Sequence, residues 1–242
     1  MREIITTGAE KLGLEITDEQ TDKLIRYAEL LKDWNEKINL TAIKDDEGIA
    51  VKHFLDSMTV LCTDKCGKKV IDVGTGAGFP GLVLKIMKPE IELTLLDSLN
   101  KRINFLKAVS EELGLEGIEF IHARAEDGGR NNALRAQFDT VVSRAVANMT
   151  TLSEWCIPFL RKNGYFLALK GPLASSELDE ARRTISILGG KVESVFEADI
   201  PHSELHHKII IVKKDRQTPM RFPRKPGIAA KLSVEQCYKL RK

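Results

Sequence analysis

From Thr17 the apolar residues Leu24, Ala28, Leu31, Trp34 and Ile38 recur every three or four positions, the period of one helix face. Thr17 and Gln20 form a capping-box pattern at its start, so the spacing predicts an amphipathic helix. A second helical stretch, "DEGIAVKHFLDSMTVL", follows "TAIK". The loop "CTDKCGKK" then leads to a different pattern. After Lys69 short apolar runs alternate with helical ones. "KVIDVG", "ELTLLD", "IEFIHA", "FDTVVSRA" and "GYFLALKG" read as strands, separated by the helices "PGLVLKIMKP", "KRINFLKAVSEELGL" and "TTLSEWCIPFL". The helix "SSELDEARRTISILGG" follows, and "KVESVFEAD" and "HKIIIVKK" then come with no helix between them, which predicts a terminal antiparallel hairpin at the sheet edge. The chain reads as an α/β, Rossmann-like protein with a mostly parallel sheet behind an N-terminal helical cap. The expected divisions are 1–66 for the cap, 67–215 for the α/β domain and 216–242 for a Pro-rich C-terminal extension.

Composition changes this picture in two places. With 43% hydrophobic and 30% charged residues the chain is ordinary for a globular protein, and no apolar run nears the roughly 18 residues of a membrane span. Charges interrupt "MREIITTGAEKLGLEI", so it lacks a secretory signal's apolar centre, and an intracellular, cytoplasmic protein is expected. The net charge of +2 is unevenly distributed: Gln217 to Lys242 holds seven basic residues and one acidic, a net +6, leaving the preceding residues at −4. A basic tail on an acidic body fits a polyanion-binding extension. Cys62, Cys66, Cys156 and Cys237 form no disulfide framework and read as reduced thiols. Cys62 and Cys66 have no second pair at zinc-site spacing, and His202, His206 and His207 in "HSELHH" read as turn or surface residues, so no metal site is expected.

The candidate chemistry lies in "VIDVGTGAGFPG". Gly74, Gly76, Gly78 and Gly81 permit a tight turn and leave room for a ligand beside the backbone. In an open parallel sheet, ligands bind at the carboxyl ends of the strands, where this loop falls. Asp97 ends the second strand, and a carboxylate there accepts hydrogen bonds from ribose hydroxyls. Together they indicate an adenosine-containing cofactor, and both NAD and S-adenosylmethionine qualify. Ala125 and Glu126 in "RAED" offer a backbone N–H and a carboxylate to an adenine edge. Arg144, in the sequence Ser143-Arg144-Ala145, places a cation at the end of the fourth strand.

These stretches, with "FLDSMTVL", "LTLLDSLNKRINFLK", "HARAED", "FDTVVSRAVA" and "RFPRKPGIAAK" in this order, resemble the RsmG (GidB) family over nearly the whole chain. The resemblance implies a class I S-adenosylmethionine-dependent methyltransferase acting on N7 of one guanine in 16S rRNA of the bacterial small ribosomal subunit. It carries the family's cofactor contacts onto Gly74, Phe79, Ala125, Glu126 and Arg144, with Asp97 in the ribose position of the wider fold and Gly76 in the same loop. One departure is that the family usually has an arginine before the final strand, where this chain has His207 and Lys208.

Guanine N7 carries a lone pair and needs no base before attack, which agrees with a sequence that offers no catalytic dyad. Arg144 is then a positioning candidate rather than an acid or base. Cys156, in a helix-like run, is ill placed as a nucleophile, and Phe79 and Phe222 are candidates for stacking on an exposed base, against ordinary packing. Phosphate contacts are expected from Lys101, Arg102, Arg221, Arg224, Lys225 and Lys231. The competing readings are an NAD-dependent oxidoreductase, which leaves the basic tail without a role, and a non-catalytic RNA-binding protein on the same fold.

Overall fold

The computed structural model describes residues 1–144, 146–226 and 233–239. Two helices open the chain, α1 (Arg2–Lys11) and α2 (Asp18–Asn35). The predicted capping box of α2 is formed: Thr17 Oγ1 accepts from the Gln20 N–H, and the Gln20 side chain accepts from the Thr17 N–H. The Gln20 amide also donates to the carbonyls of Ile86 and Met87, which ties this helix start to α5 below. Next comes one helical rod of three parts, α3 (Asp46–Ile49), a π-helical stretch (Ala50–Leu55) and α4 (Asp56–Met58).

The α/β part follows as β1 (Lys69–Val73), α5 (Gly81–Met87), β2 (Glu92–Asp97), α6 (Asn100–Glu112), β3 (Ile118–His122), α7 (Ala125–Gly128), β4 (Phe138–Arg144), α8 (Met149–Cys156), β5 (Leu160–Lys170), α9 (Ala174–Ile187), β6 (Gly190–Asp199) and β7 (His206–Lys214). The order across the sheet is β3-β2-β1-β4-β5-β7-β6, with β1 to β5 parallel and β7 antiparallel to both of its neighbours. The expected hairpin is therefore present, and its second strand turns back to lie between β5 and β6. The strand order reverses between β1 and β4, so the crevice at their carboxyl ends is the topological switch point.

The pleat divides the interior into two cores. Val70, Leu95, Val142, Leu167 and Ile211 face one; Ile71, Leu96, Val141, Phe166 and Ile210 face the other. Leu24, Tyr27, Leu31, Phe54 and Leu55 of the N-terminal helices belong to the first core, which they share with α5 and α6. The second core includes Phe222 and Val234 from the C-terminal segment. Residues 217–226 contain no helix or strand, as the prolines predict, but they pack against the body, and a short helix α10 (Val234–Lys239) follows. Thus the cap and the extension cover opposite faces of one sheet.

Candidate active site

The loop after β1 is pinned to the end of β2. The N–H groups of Gly74 and Thr75 both donate to the Leu96 carbonyl, and the Gly76 N–H donates to Asp97 Oδ2 at 2.9 Å. Gly74 and Gly76 have φ of +72° and +61°, in the left-handed region that side chains disfavour. A Cβ on Gly76 would meet nothing nearer than 3.9 Å, leaving open space beside the backbone. Gly78 and Gly81 answer to packing instead. A Cβ on Gly78 would strike the Tyr27 hydroxyl and come within 2.8 Å of Leu82, and one on Gly81 would lie 2.8 Å from Asp72 Oδ2.

Asp72 lies under the loop, fully buried, where its Oδ2 accepts from Thr75 Oγ1 at 2.8 Å and from the Gly81 N–H at 2.9 Å. Its Oδ1 has no partner among the described residues. Burial pushes this carboxyl up to about 6, against the pull of those two donors.

A cavity of about 480 Å³ opens above the loop, and all seven residues expected at the cofactor line it. They come from the glycine loop, the end of β2, the first turn of α7 and the end of β4. Asp97 is buried, with Oδ1 accepting from the Leu99 N–H at 2.9 Å and Oδ2 also 3.3 Å from Arg102 Nη1. A carboxylate has about four acceptor positions, so one position remains for a hydroxyl, and a second if the long Arg102 contact is exchanged.

Phe79 forms the floor of an aromatic stack. Its ring lies 5.3 Å from Tyr27 and 4.5 Å from His53, near-parallel to both, with the Arg144 guanidinium 5.1 Å away over the same ring. Arg144 donates to the Lys52 carbonyl, to Asp56 Oδ2 at 2.8 Å and to His53 Nδ1 at 3.2 Å. A guanidinium cannot accept, so His53 Nδ1 must be the unprotonated nitrogen and its Nε2–H donates to Thr41 Oγ1, 2.8 Å away. Burial and the Arg144 charge push His53 down to about 4, consistent with a neutral ring. Asp56 Oδ1 accepts from His207 Nδ1 at 2.8 Å. Burial opposes ionisation of Asp56, but the His207 hydrogen bond and the Arg144 charge outweigh it and hold the carboxyl below its usual range. The same hydrogen bond raises His207. A second pocket of about 610 Å³, at the ends of β4, β5 and β7, shares His53, Arg144 and Val146 with the first.

The family model "rRNA small subunit methyltransferase G" (GidB) matches residues 20–206. The chain belongs to this family. Relatives named ribosomal RNA small subunit methyltransferase G include those of Clostridium novyi, 49% identical over 95% of each chain, and Clostridium perfringens strain 13, 50% identical over 95% of this chain and 97% of that one. Solved structures share the fold at low identity. YcgJ from Bacillus subtilis superposes with a TM-score of 0.52 at 15% identity, covering 68% of this chain and 100% of that one. A variant of the 16S rRNA (adenine(1408)-N(1))-methyltransferase from Catenulisporales acidiphilia, with cosubstrate SAM, superposes with a TM-score of 0.51 at 13% identity, covering 68% and 93%.

In this member of the GidB family the expected phosphate contacts divide. Lys101 and Lys225 are exposed. Arg102 is instead turned toward Asp97 and lines the cavity. Arg221 donates to the carbonyls of Cys237 and Tyr238 and lies 5.0 Å over the Tyr238 ring, holding α10 in place. Arg224 corrects the sequence reading outright: it is buried and its guanidinium clasps both oxygens of buried Glu154 on α8, because a charge carried under the surface by the packed segment around Phe222 must be paired. Lys231 lies outside the described residues. The stacking candidates both serve packing, Phe79 in the floor just described and Phe222 fully buried in the second core. Cys156 is buried at the end of α8 and its thiol is pushed up by burial, so it is no nucleophile. No metal-binding group of His, Cys, Asp or Glu occurs among the described residues.

Residue reasoning missed His53 and Asp56. The helical pattern of "KHFLDSM" carried no sign of them, but both lie at a π-helical stretch, a distortion frequent at functional sites. The departure at His207 acquires a structural role, since it holds Asp56 from the side opposite Arg144.

Proposed function

We propose that the protein transfers the methyl group of S-adenosylmethionine to N7 of one guanine in 16S rRNA, acting on the small ribosomal subunit or its RNA in the cytoplasm. The observation that carries this reading is the near full-length match to small-subunit rRNA methyltransferases in a chain whose glycine loop and buried Asp97 form an adenosine-sized cavity. No helix among the described residues is long and apolar enough to cross a membrane.

The open space at Gly76 and the spare acceptor position on Asp97 fit the cofactor, with Asp97 taking the ribose hydroxyls and the Ala125 N–H and Glu126 meeting the adenine edge. Gly74, Phe79 and Arg144 bound the end nearest the second pocket. The cofactor supplies an electrophilic methyl on a sulfonium. The protein's own contribution is to hold the nucleophile in line with that methyl at about 3 Å, a positioning effect. N7 arrives with its lone pair free, so the neutral His53 has no proton to remove, and Arg144, fixed by Asp56, His53 and Lys52, serves to position.

An NAD-dependent oxidoreductase fits the same adenosine cavity but gains no support from the chain's family, whose model and relatives are named as rRNA methyltransferases. Labelled methyl transfer to unmodified 16S rRNA and to small subunits, followed by mapping, tests the proposal: N7-methylguanine at a single site is expected, and modification of an exocyclic nitrogen overturns the N7 assignment. Calorimetry should show S-adenosylhomocysteine binding and no NAD binding.

A further inference from the structure

We propose that the second pocket is the seat of the target guanine, and that Lys170 and Glu177 together read the base's O6 and the N1–H and 2-amino edge. The inference rests on methyl transfer to guanine as proposed above and adds the residues that choose the base.

Lys170 is the last residue of β5, and only 8% exposed. Its Nζ donates to the Ala147 carbonyl at 2.5 Å and to Glu177 Oε2 at 2.7 Å. An ammonium has three N–H groups, so one donor is left over. Glu177, in the first turn of α9, spends the same Oε2 on the Met149 N–H at 2.8 Å, while Oε1 makes no hydrogen bond to any described residue. Both side chains line the pocket. An unused donor therefore stands beside an unused acceptor, both on side chains already locked by other bonds.

That order is the complement of guanine, whose O6 accepts next to N1–H and a 2-amino group that donate. Adenine presents the reverse, an exocyclic amino donor beside an N1 acceptor, and would set like against like on both residues. A pyrimidine offers no N7. In guanine, N7 lies on the other side of O6 from N1. A base held by this pair therefore turns N7 away from Glu177, and the wall shared with the cofactor cavity is made by Arg144, His53 and Val146. Nothing in the fold requires Glu177 to be only structural, because one oxygen alone serves the start of α8 and Lys170.

The test compares wild-type protein with Glu177→Gln on small-subunit RNA carrying guanine or inosine at the mapped target, inosine lacking only the 2-amino group. On guanine, kcat/KM of the variant should fall about 10- to 100-fold, as expected for a lost charge-assisted hydrogen bond. S-adenosylhomocysteine affinity should stay close to wild type, while the melting temperature falls, because the glutamine keeps an acceptor for Met149 but leaves buried Lys170 with only a neutral partner. On inosine the wild type should itself lose at least about tenfold, and the gap between wild type and variant should narrow. The inosine result on wild type stands even if the variant folds poorly. Equal activity of the variant on guanine, or an undiminished gap on inosine, overturns the assignment of Glu177. Absence of N7-methylguanine in the wild-type reaction overturns the underlying function instead, so the two failures are told apart.

Discussion

A single oxygen, Asp72 Oδ1, shows how a buried side chain under the glycine loop sets a pH dependence. The folded-state value of about 6 lies above the unfolded carboxyl near 3.9, so between these values the folded form keeps a proton that the unfolded form has released. Stability therefore falls as pH rises through that window, by about 3 kcal/mol in total. Asparagine keeps an acceptor for Gly81 and Thr75 and removes the charge. Denaturant titrations should show the stability difference between Asp72→Asn and wild type shifting toward the variant by about 3 kcal/mol from pH ~3.5 to pH ~7; a flat difference contradicts the account. The glycines make a second residue-level contrast. Gly76→Ala should fold with a penalty of about 1 kcal/mol for its left-handed backbone and weaken S-adenosylhomocysteine binding, since its Cβ enters open space at the cavity wall. Gly78→Ala should instead lower the melting temperature, because its Cβ collides with Tyr27, Leu82 and Leu106. Both outcomes are read by calorimetry beside thermal melts, and a reversed pattern would separate the glycines the other way.

Among the elements, the segment after β7 carried the largest change of reading. Its arginines suggested RNA contacts by composition, yet Arg224 is sealed against Glu154 of α8 and Arg221 braces α10. Removing one partner of a buried pair leaves the other charge stranded at about 3 to 5 kcal/mol. Arg224→Ala should accordingly destabilise the protein by that order in chemical denaturation, while Lys225→Ala, at an exposed position, should change stability by less than about 0.5 kcal/mol. Equal stability of the two variants would return Arg224 to the surface. The helical rod before β1 matters in the opposite way: it looked like a cap, and its π-helical stretch delivers His53 beside Phe79 and Arg144.

Across the whole molecule, the proposed RNA surface now rests on fewer cations than the sequence offered. Lys101 at the start of α6 and Lys225 remain exposed, and each phosphate they neutralise adds to the salt dependence of binding. The double substitution Lys101→Ala with Lys225→Ala should weaken RNA binding and flatten the slope of log K against log salt by about 1.5, leaving cofactor affinity unchanged. Filter binding over a salt series measures this directly, and an unaltered slope removes both lysines from the interface.

Read as a string, the chain already determined its layers and the strand ends where its candidate site lies. Apolar runs of strand length, separated by amphipathic helices, leave a parallel sheet as the way to bury both faces, and a glycine loop followed by Asp97 at the next strand end marks the crevice. These signals are local, within one element and its turn. The tertiary structure alone decided which glycines clear a ligand and which clear Tyr27 or Asp72, which arginines are spent inside, and that Asp56 and His207, 151 positions apart, grip one another beside Arg144. Apart from Asp72 and Gly81, which share one strand and its loop, these partners come from distant parts of the sequence through the tertiary packing, and no period or spacing in the sequence encodes such a meeting.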